Sequence, residues 1–447
     1  DRTNSTPDST AFLTDMYELT MLDAALKDGT AHRQCAFEVF TRRLPGERRY
    51  GVVAGTSRVI DAVEKFRFTQ DQIDAADFLS DEAKDYLANY RFSGDIDGYR
   101  EGDIYFPYSP IMTLRGTFAE CVILETVILS ILNSDSAVAS AASRMVSAAD
   151  GRPIIEMGSR RTHEQSAVTA ARAAYIAGFE ATSNMEASLR YGIPPSGTAA
   201  HSWTLLHVDE DGTPDEKAAF KAQIDQLGVD TTLLVDTFDI TKGVANAIEV
   251  AGTELGAVRI DSGDLGIVSR RVRQQLDKAG AFNTRIIVSS DLDEFAIAGL
   301  RGDPVDGFGV GTSVVTGSGA PTAGLVYKLV EVEGHPVAKR SSGKQTYGGA
   351  KTALRGYRAS GVAVAEIVYP LDAEITRKPN LDYHEIVVPM VRGGKRLPEY
   401  DEQHGSLEQA RTLHDAARGT LPWEGLALSR GDAAIPTRFV GFPDPLD

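Results

Sequence analysis

Cysteine is nearly absent from this chain. Its 447 residues hold two, Cys35 and Cys121, and neither belongs to a metal-binding spacing. That excludes a disulfide or zinc scaffold and fits a reducing compartment. Long apolar runs are lacking as well. The most apolar stretch, 121–132, is interrupted by Glu125 and is too short to span a bilayer. The first ten residues are polar, unlike the core of a signal peptide. An excess of positive charge is the third absence. Lys and Arg total 46 against 63 Asp and Glu, a net charge of -17. Such a field repels a phosphodiester backbone, so nucleic acid is not an expected partner, and an anionic ligand needs a local basic pocket. A cytoplasmic protein without membrane contact is expected.

What is present is an ordinary globular composition, 42% hydrophobic and 24% charged, on a chain too long for one compact core. Residues 1–150 mix helical and strand patterns. Tyr17, Met21, Leu22 and Ala25 have helical spacing; Phe37, Val39 and 50–54 have the look of strands, broken by Pro45-Gly46. Stretch 105–118 carries Pro107 and Pro110 and belongs at an edge or bend. The run from 121 predicts a buried helix whose Ala and Ser residues, 136–149, let neighbours pack closely.

Residues 151–330 are rhythmic. Short apolar runs at 154–158, 178–184, 197–203, 231–239, 256–264, 285–291 and 308–313 alternate with helix-like segments such as 167–177, 217–226, 243–251, 267–279 and 294–300. Alternation of this kind predicts a parallel sheet, and this many units favour an irregular (β/α) barrel of about seven strands. An open doubly wound sheet would want a glycine-rich phosphate turn after its first strand, and Met157-Gly158-Ser159-Arg160-Arg161 is not one. The fold class is therefore α/β, a parallel barrel with a flanking α+β domain built from the N- and C-terminal segments. Residues 331–447, rich in Gly, Lys and short β-like runs, supply the latter. Ser342-Gly343-Lys344 fails as a P-loop, because Ala338 replaces the first glycine and Gln345 the hydroxyl residue.

In a parallel barrel the carboxyl ends of the strands share one face, and that face holds the chemistry. Those ends are Arg160 and Arg161; Thr182, Ser183 and Asn184; His201; Asp236 and Asp239; Arg259, Asp261 and Asp264; Ser289, Ser290 and Asp291; and Gly309, Gly311, Thr312 and Ser313. His201 sits in Gly197-Thr198-Ala199-Ala200-His201-Ser202-Trp203, where small neighbours allow close approach to an imidazole. Alternation puts Arg259 and Asp261 on one side of their strand. Gly309-Val310-Gly311-Thr312-Ser313 after a late strand suits a phosphate cradle of backbone N–H groups. Each feature alone has a structural explanation: a satisfied core histidine, a surface ion pair, or a helix cap for Asp261 and Asp264. Their convergence on one mouth is what points to a site.

The chain resembles the nicotinate phosphoribosyltransferases. The resemblance is carried by Leu13-Thr14-Asp15-Met16-Tyr17-Glu18-Leu19-Thr20-Met21, Phe37-Glu38-Val39-Phe40-Thr41-Arg42-Arg43-Leu44-Pro45, Gly158-Ser159-Arg160-Arg161, Thr182-Ser183-Asn184 and the His201 segment. Asp236-Thr237-Phe238-Asp239, Arg259-Ile260-Asp261-Ser262-Gly263-Asp264, Ser341-Ser342-Gly343-Lys344 and Gly349-Ala350-Lys351 extend it in order towards the C-terminus. It implies joining nicotinate to phosphoribosyl pyrophosphate, giving nicotinate mononucleotide and pyrophosphate with coupled ATP hydrolysis.

On that resemblance His201 is phosphorylated by ATP, and Asp261 and Asp264 serve the ribose hydroxyls and a Mg²⁺ ion, directly or through water. Gly309, Gly311, Thr312 and Ser313, with Ser290 and Asp291, take the phosphoribosyl group. Arg160 or Arg259 offers two parallel hydrogen bonds to the nicotinate carboxylate. Ser183 stands where nicotinamide-using relatives carry an acid, which favours the acid substrate. A homodimer with shared sites is implied, in which Tyr17 stacks on the partner's pyridine ring and Arg42, Arg43 and Arg161 reach pyrophosphate. Met157, Ser159, Thr162 and His163 depart from the family's commoner residues. The competing readings are a nicotinamide or quinolinate phosphoribosyltransferase and a catalytically silent barrel scaffold.

Overall fold

The computed structural model describes residues 9–341, 344 and 346–442. The polar opening of the chain and Ser342, Gly343 and Gln345 of the glycine-lysine turn lie outside the described residues. Two compact units emerge: Asp1–Ser140 with Ala320–Asp447, and Ala141–Gly319.

In the first unit, N- and C-terminal segments are woven into one antiparallel sheet. Its strands run in the order His335–Pro336, Val326–Val332, Gln34–Phe40, Met112–Thr117, Asp95–Tyr99, Val387–Arg392 and Lys395–Arg396. Gln34–Phe40 pairs with Val326–Val332 across nearly three hundred residues of chain, and the rings of Phe37 and Tyr327 stack at 4.8 Å between centroids. A second sheet orders Asp382–Glu385, Lys351–Tyr357, Ala363–Pro370 and Thr437–Phe439. Helix Met16–Asp28 buries Leu22 and Ala25 of the four expected apolar positions, together with Leu19, while Tyr17 and Met21 are exposed, and it stops at Gly29 in the left-handed region. The apolar run from 121 becomes two helices, Phe118–Val122, held by a Thr117–Glu120 capping box, and Glu125–Ala149. Glu125–Ala149 crosses the boundary between the units. Among the described residues no helix is long and apolar enough to cross a membrane.

The second unit carries a curled sheet of six strands, all parallel: Ala181–Thr182, Ile154–Glu156, Gly307–Val310, Arg285–Val288, Ala257–Ile260 and Thr232–Leu234. Val258, Ile260, Ile286, Val288, Phe308 and Val310 are buried, which suits a parallel sheet covered on both faces.

The expected strand over 197–203 is not there. Residues 197–200 are irregular and His201–Leu206 is helical, so the sheet has six strands and ends at Ala181–Thr182 and Thr232–Leu234. Prolines at 194 and 195 remove two donors just where a ladder would start. What survives is one parallel bridge, Thr182 to Pro195, with Ser196 N–H donating to the Thr182 carbonyl at 2.9 Å.

The turns after the strands have their own logic. Asn184, Asp239, Asp264 and Asp293 each accept a backbone N–H at the start of the helix that follows. A cap of this type contributes about 1 kcal/mol. Three of the polar residues at the strand ends, Asn184, Asp239 and Asp264, are thus committed to starting helices.

Candidate active site

A cavity of about 610 Å³ opens at those strand ends. Arg160, Arg161 and Ser183 line it, followed by the 196–200 loop and His201. Arg259 and Asp261 line it from the next strand, then Ser289, Ser290 and Asp291, and finally Gly309, Gly311, Thr312 and Ser313. Every lining residue falls between Met157 and Ser313, within the second unit.

His201 opens its short helix and is partly exposed. Its Nδ1 lies 2.9 Å from Thr237 Oγ1. On the other side Nε2 lies 3.8 Å from Asp261 Oδ2 and 3.9 Å from Asp236 Oδ1. Asp236 is buried; its Oδ2 accepts from Asp261 N–H at 2.9 Å and Ser262 O–H at 2.5 Å, while Oδ1 has no hydrogen-bond partner. Two carboxylates beside Nε2 favour the tautomer that carries its proton there. Nδ1 then keeps a lone pair, accepting from the Thr237 hydroxyl.

Arg259 is the other pole. Burial pushes its guanidinium below the usual range, Asp261 and Asp236 pull it up, and Arg160 lowers it again. One terminal nitrogen donates to Ala199 O at 3.4 Å, and the buried Nε has no acceptor. A buried donor left unmade costs about 1–3 kcal/mol, more when charged, so this arginine is built to receive an acceptor.

Small residues decide the floor. A Cβ on Gly309 would sit 2.6 Å from Met157 Sδ, and a Cβ on Gly158 would sit 2.2 Å from Val315 Cγ1 and 3.0 Å from Gly311 O. These backbones touch because nothing projects between them. Asp261 Oδ1 accepts from Ser289 O–H at 2.8 Å, leaving Oδ2 towards the histidine.

Models of two successive domains match this chain: the nicotinate phosphoribosyltransferase N-terminal domain over residues 12–133 and the nicotinate phosphoribosyltransferase family over residues 153–359. The chain belongs to the nicotinate phosphoribosyltransferase family. A Mycobacterium tuberculosis nicotinate phosphoribosyltransferase is 57% identical over 438 residues, covering 97% of this chain and 96% of the relative. A Bacillus subtilis nicotinate phosphoribosyltransferase is 38% identical over 342 residues, covering 73% and 68%. Among solved structures, a nicotinate-nucleotide pyrophosphorylase from Pyrococcus furiosus superposes with a TM-score of 0.77 at 25% identity, over 94% of this chain and 99% of that one. Human nicotinic acid phosphoribosyltransferase gives 0.78 at 24% identity, over 94% and 96%, and so shares the fold.

Not every residue nominated from the sequence of this family member lines the cavity. Asp264 does not; its Oδ1 caps helix Leu265–Lys278 by accepting Ile267 N–H at 3.0 Å. Tyr17, Arg42 and Arg43 belong to the first unit. Tyr17 is 47% exposed, and its phenol is hydrogen-bonded to Glu125 and pushed up to about 12, by burial first and then by that carboxylate. Arg42 lies over the Phe40 ring at 5.4 Å and reaches Lys344 O and Thr346 Oγ1 at 3.5 Å, with its Nε unpartnered. Arg43 is exposed.

Four residues carry more of the geometry than the sequence suggests. Asp236 and Thr237 bracket the histidine, Ser289 holds Asp261, and Glu156 is buried beneath the first strand end. The signal for Glu156 was available: a lone acid inside an apolar strand run is rarely tolerated without a task.

Proposed function

We propose that this chain is an ATP-coupled nicotinate phosphoribosyltransferase of pyridine nucleotide salvage. It converts nicotinate, phosphoribosyl pyrophosphate, ATP and water to nicotinate mononucleotide, pyrophosphate, ADP and phosphate. The observation that carries the reading is that one cavity pairs an imidazole flanked by two carboxylates with a half-buried arginine that lacks an acceptor on Nε.

In this reading the nicotinate carboxylate binds the Arg259 guanidinium, with Arg160 assisting, and Ser183 adds a neutral contact that does not repel an anion. The pyridine nitrogen lone pair forms the new bond to ribose C1 while the C1–O bond to pyrophosphate breaks. No proton moves in that step, so positioning and electrostatics supply the rate. Backbone N–H groups at Gly309 to Ser313, with Ser290 and Asp291, cradle the ribose phosphate. Arg161 is assigned to the departing pyrophosphate.

His201 is assigned the coupling step. Once the Thr237 hydroxyl swings off its lone pair, Nδ1 attacks the γ-phosphorus of ATP, ADP leaves, and water later hydrolyses the phosphohistidine. Asp236 and Asp261 hold Nε2–H and balance the charge that develops on the ring.

A Mg²⁺ ion fits this donor set. Among the described residues no three His, Cys, Asp or Glu side chains form a metal cage, and Mg²⁺ bound to substrate phosphates needs only one or two carboxylates. Asp261 would hold it, with Asp264 contributing through water, and the ion would neutralise charge on pyrophosphate.

The same reading makes the enzyme a cytoplasmic homodimer. Phe12, Leu13, Met16, Tyr17 and Met21 are exposed around the first helix, as are Met185, Leu189, Leu205 and Leu206 in the second unit. Exposed apolar patches of this kind mark association surfaces. Tyr17 is assigned to the partner's pyridine ring, and Arg42 and Arg43 to its pyrophosphate.

The test is product formation by purified protein with phosphoribosyl pyrophosphate and Mg²⁺, with nicotinate, nicotinamide or quinolinate in turn, with and without ATP. Turnover of nicotinate alone, stimulated by ATP, is expected. Preference for another pyridine, or no turnover of any, removes the proposal.

A further inference from the structure

Glu156 ends the strand Ile154–Glu156 and is 1% exposed. Its Oε1 accepts from Gly158 N–H at 2.5 Å and its Oε2 from Thr182 O–H at 2.6 Å. Thr182 Oγ1 in turn accepts from Asn184 N–H at 3.0 Å, and Asn184 Nδ2 donates to Ser159 Oγ at 3.0 Å. The four links close a ring: Glu156, Gly158 with Ser159, Asn184, Thr182, and back to Glu156. On one side of that ring the chain runs directly into Arg160 and Arg161, and on the other it carries Ser183. All three line the cavity, whereas Glu156 does not.

The carboxylate has no cationic partner among the salt bridges of the described residues. Burial raises its pKa, and the two hydrogen bonds lower it. A packed apolar side chain would fill this place more cheaply than a carboxyl group deprived of water. Its two acceptor oxygens do what no apolar group can: they tie two loops from neighbouring strands at one point. Gly158, the first residue tied, runs so close to the neighbouring strand end that a Cβ there would come within 3.0 Å of Gly311 O, so the tie holds this loop where only a glycine fits.

We infer that Glu156 is a positioning residue for the pyridine end of the site, setting Arg160 and Ser183 through Gly158 and Thr182 without touching substrate. The inference rests on the nicotinate reading for the identity of that end. Glu156→Gln keeps the shape but turns one acceptor into a donor facing Thr182. Thr182→Val removes the other half of the same bond and keeps the volume, while Thr182→Ser restores the hydroxyl.

Steady-state kinetics and thermal midpoints of these three variants, beside wild type, test it. Wild-type turnover of nicotinate is the separate check on the underlying reading. The expected result is a rise of about tenfold or more in KM for nicotinate in Glu156→Gln and Thr182→Val. KM for phosphoribosyl pyrophosphate should stay within about threefold, and Thr182→Ser should lie near wild type. A merely structural role would lower the midpoint and kcat and leave KM for nicotinate unchanged. That outcome, or an equal rise in both KM values, overturns the inference while leaving the nicotinate reading intact.

Discussion

Thr237 Oγ1 sits 2.9 Å from His201 Nδ1, the one ring nitrogen not facing a carboxylate. The hydroxyl fixes the ring plane, and the two aspartates behind Nε2 fix which nitrogen keeps the proton. The imidazole is thereby held as a ring that cannot spin freely.

His201→Asn keeps a polar side chain but no nucleophile. ATP stimulation should disappear, while slow synthesis without ATP persists. Measuring ADP formed per nicotinate mononucleotide decides it. An unchanged ratio would take the histidine out of the coupling step.

Arg259→Lys keeps the charge and loses the planar fork. Lysine cannot offer two parallel bonds to a carboxylate, so KM for nicotinate should rise roughly tenfold to a hundredfold. Titration of nicotinate at saturating phosphoribosyl pyrophosphate reads this out, and an unchanged KM would place the carboxylate elsewhere.

Tyr17→Ala tests sharing between subunits. The side chain is 47% exposed in the single chain, so its removal should cost little stability. Under the proposed shared site, KM for nicotinate should nevertheless rise, because an aromatic stacking contact would be lost. If the change is no larger than for Phe282→Ala, another exposed aromatic at 71%, the shared site is wrong.

Gly158→Ala places a methyl group 2.2 Å from Val315 Cγ1 and 3.0 Å from Gly311 O. Overpacking of this sort costs about 1–3 kcal/mol. A lower melting midpoint and a higher KM for phosphoribosyl pyrophosphate are expected together, since Gly311 lines the cavity and is assigned to the phosphate in the proposed function. An alanine variant that melts and binds like wild type would show that the floor yields.

His414 gives a pH signature remote from catalysis. Burial pushes its imidazole down to about 4 from an ordinary 6.5, and Nδ1 pairs with the Gly102 carbonyl at 3.0 Å. The folded chain keeps this ring neutral while the unfolded chain protonates it. Its contribution is therefore complete above about pH 6.5 and is lost as pH falls towards 4, by roughly 3 kcal/mol in all. Glu18, pushed up to about 7 by burial, runs the other way: its stabilising share is full below about 4.5 and vanishes as pH rises through 7. Denaturant melts of His414→Gln against wild type from pH 7 to pH 4 isolate the histidine. Parallel curves would refute the assignment.

Much of the second unit was legible because strand and helix periods alternate cleanly between 154 and 310, and nearly every nominated liner came from the residues just beyond an apolar run. Two things misled. A segment rich in small residues, 197–200, reads like a strand, yet Pro194 and Pro195 ahead of it deny the ladder its donors. An aspartate after a strand can either cap the next helix or face the mouth, and sequence does not separate Asp264, which caps, from Asp261, which faces inward. Glu156 was passed over because its work is done on neighbouring loops, which only three-dimensional adjacency reveals. The tie between Gln34–Phe40 and Val326–Val332 is likewise invisible to local patterns.

The unpaired stretch between Ser196 and Ala200 has a mechanical consequence. A bulky anionic group attached to His201 would displace backbone that no ladder hydrogen bond restrains, so the sheet need not deform to make room. Under the proposed coupling, strain from loading and unloading that residue would be absorbed in this loop, and the strands on either side would stay in register.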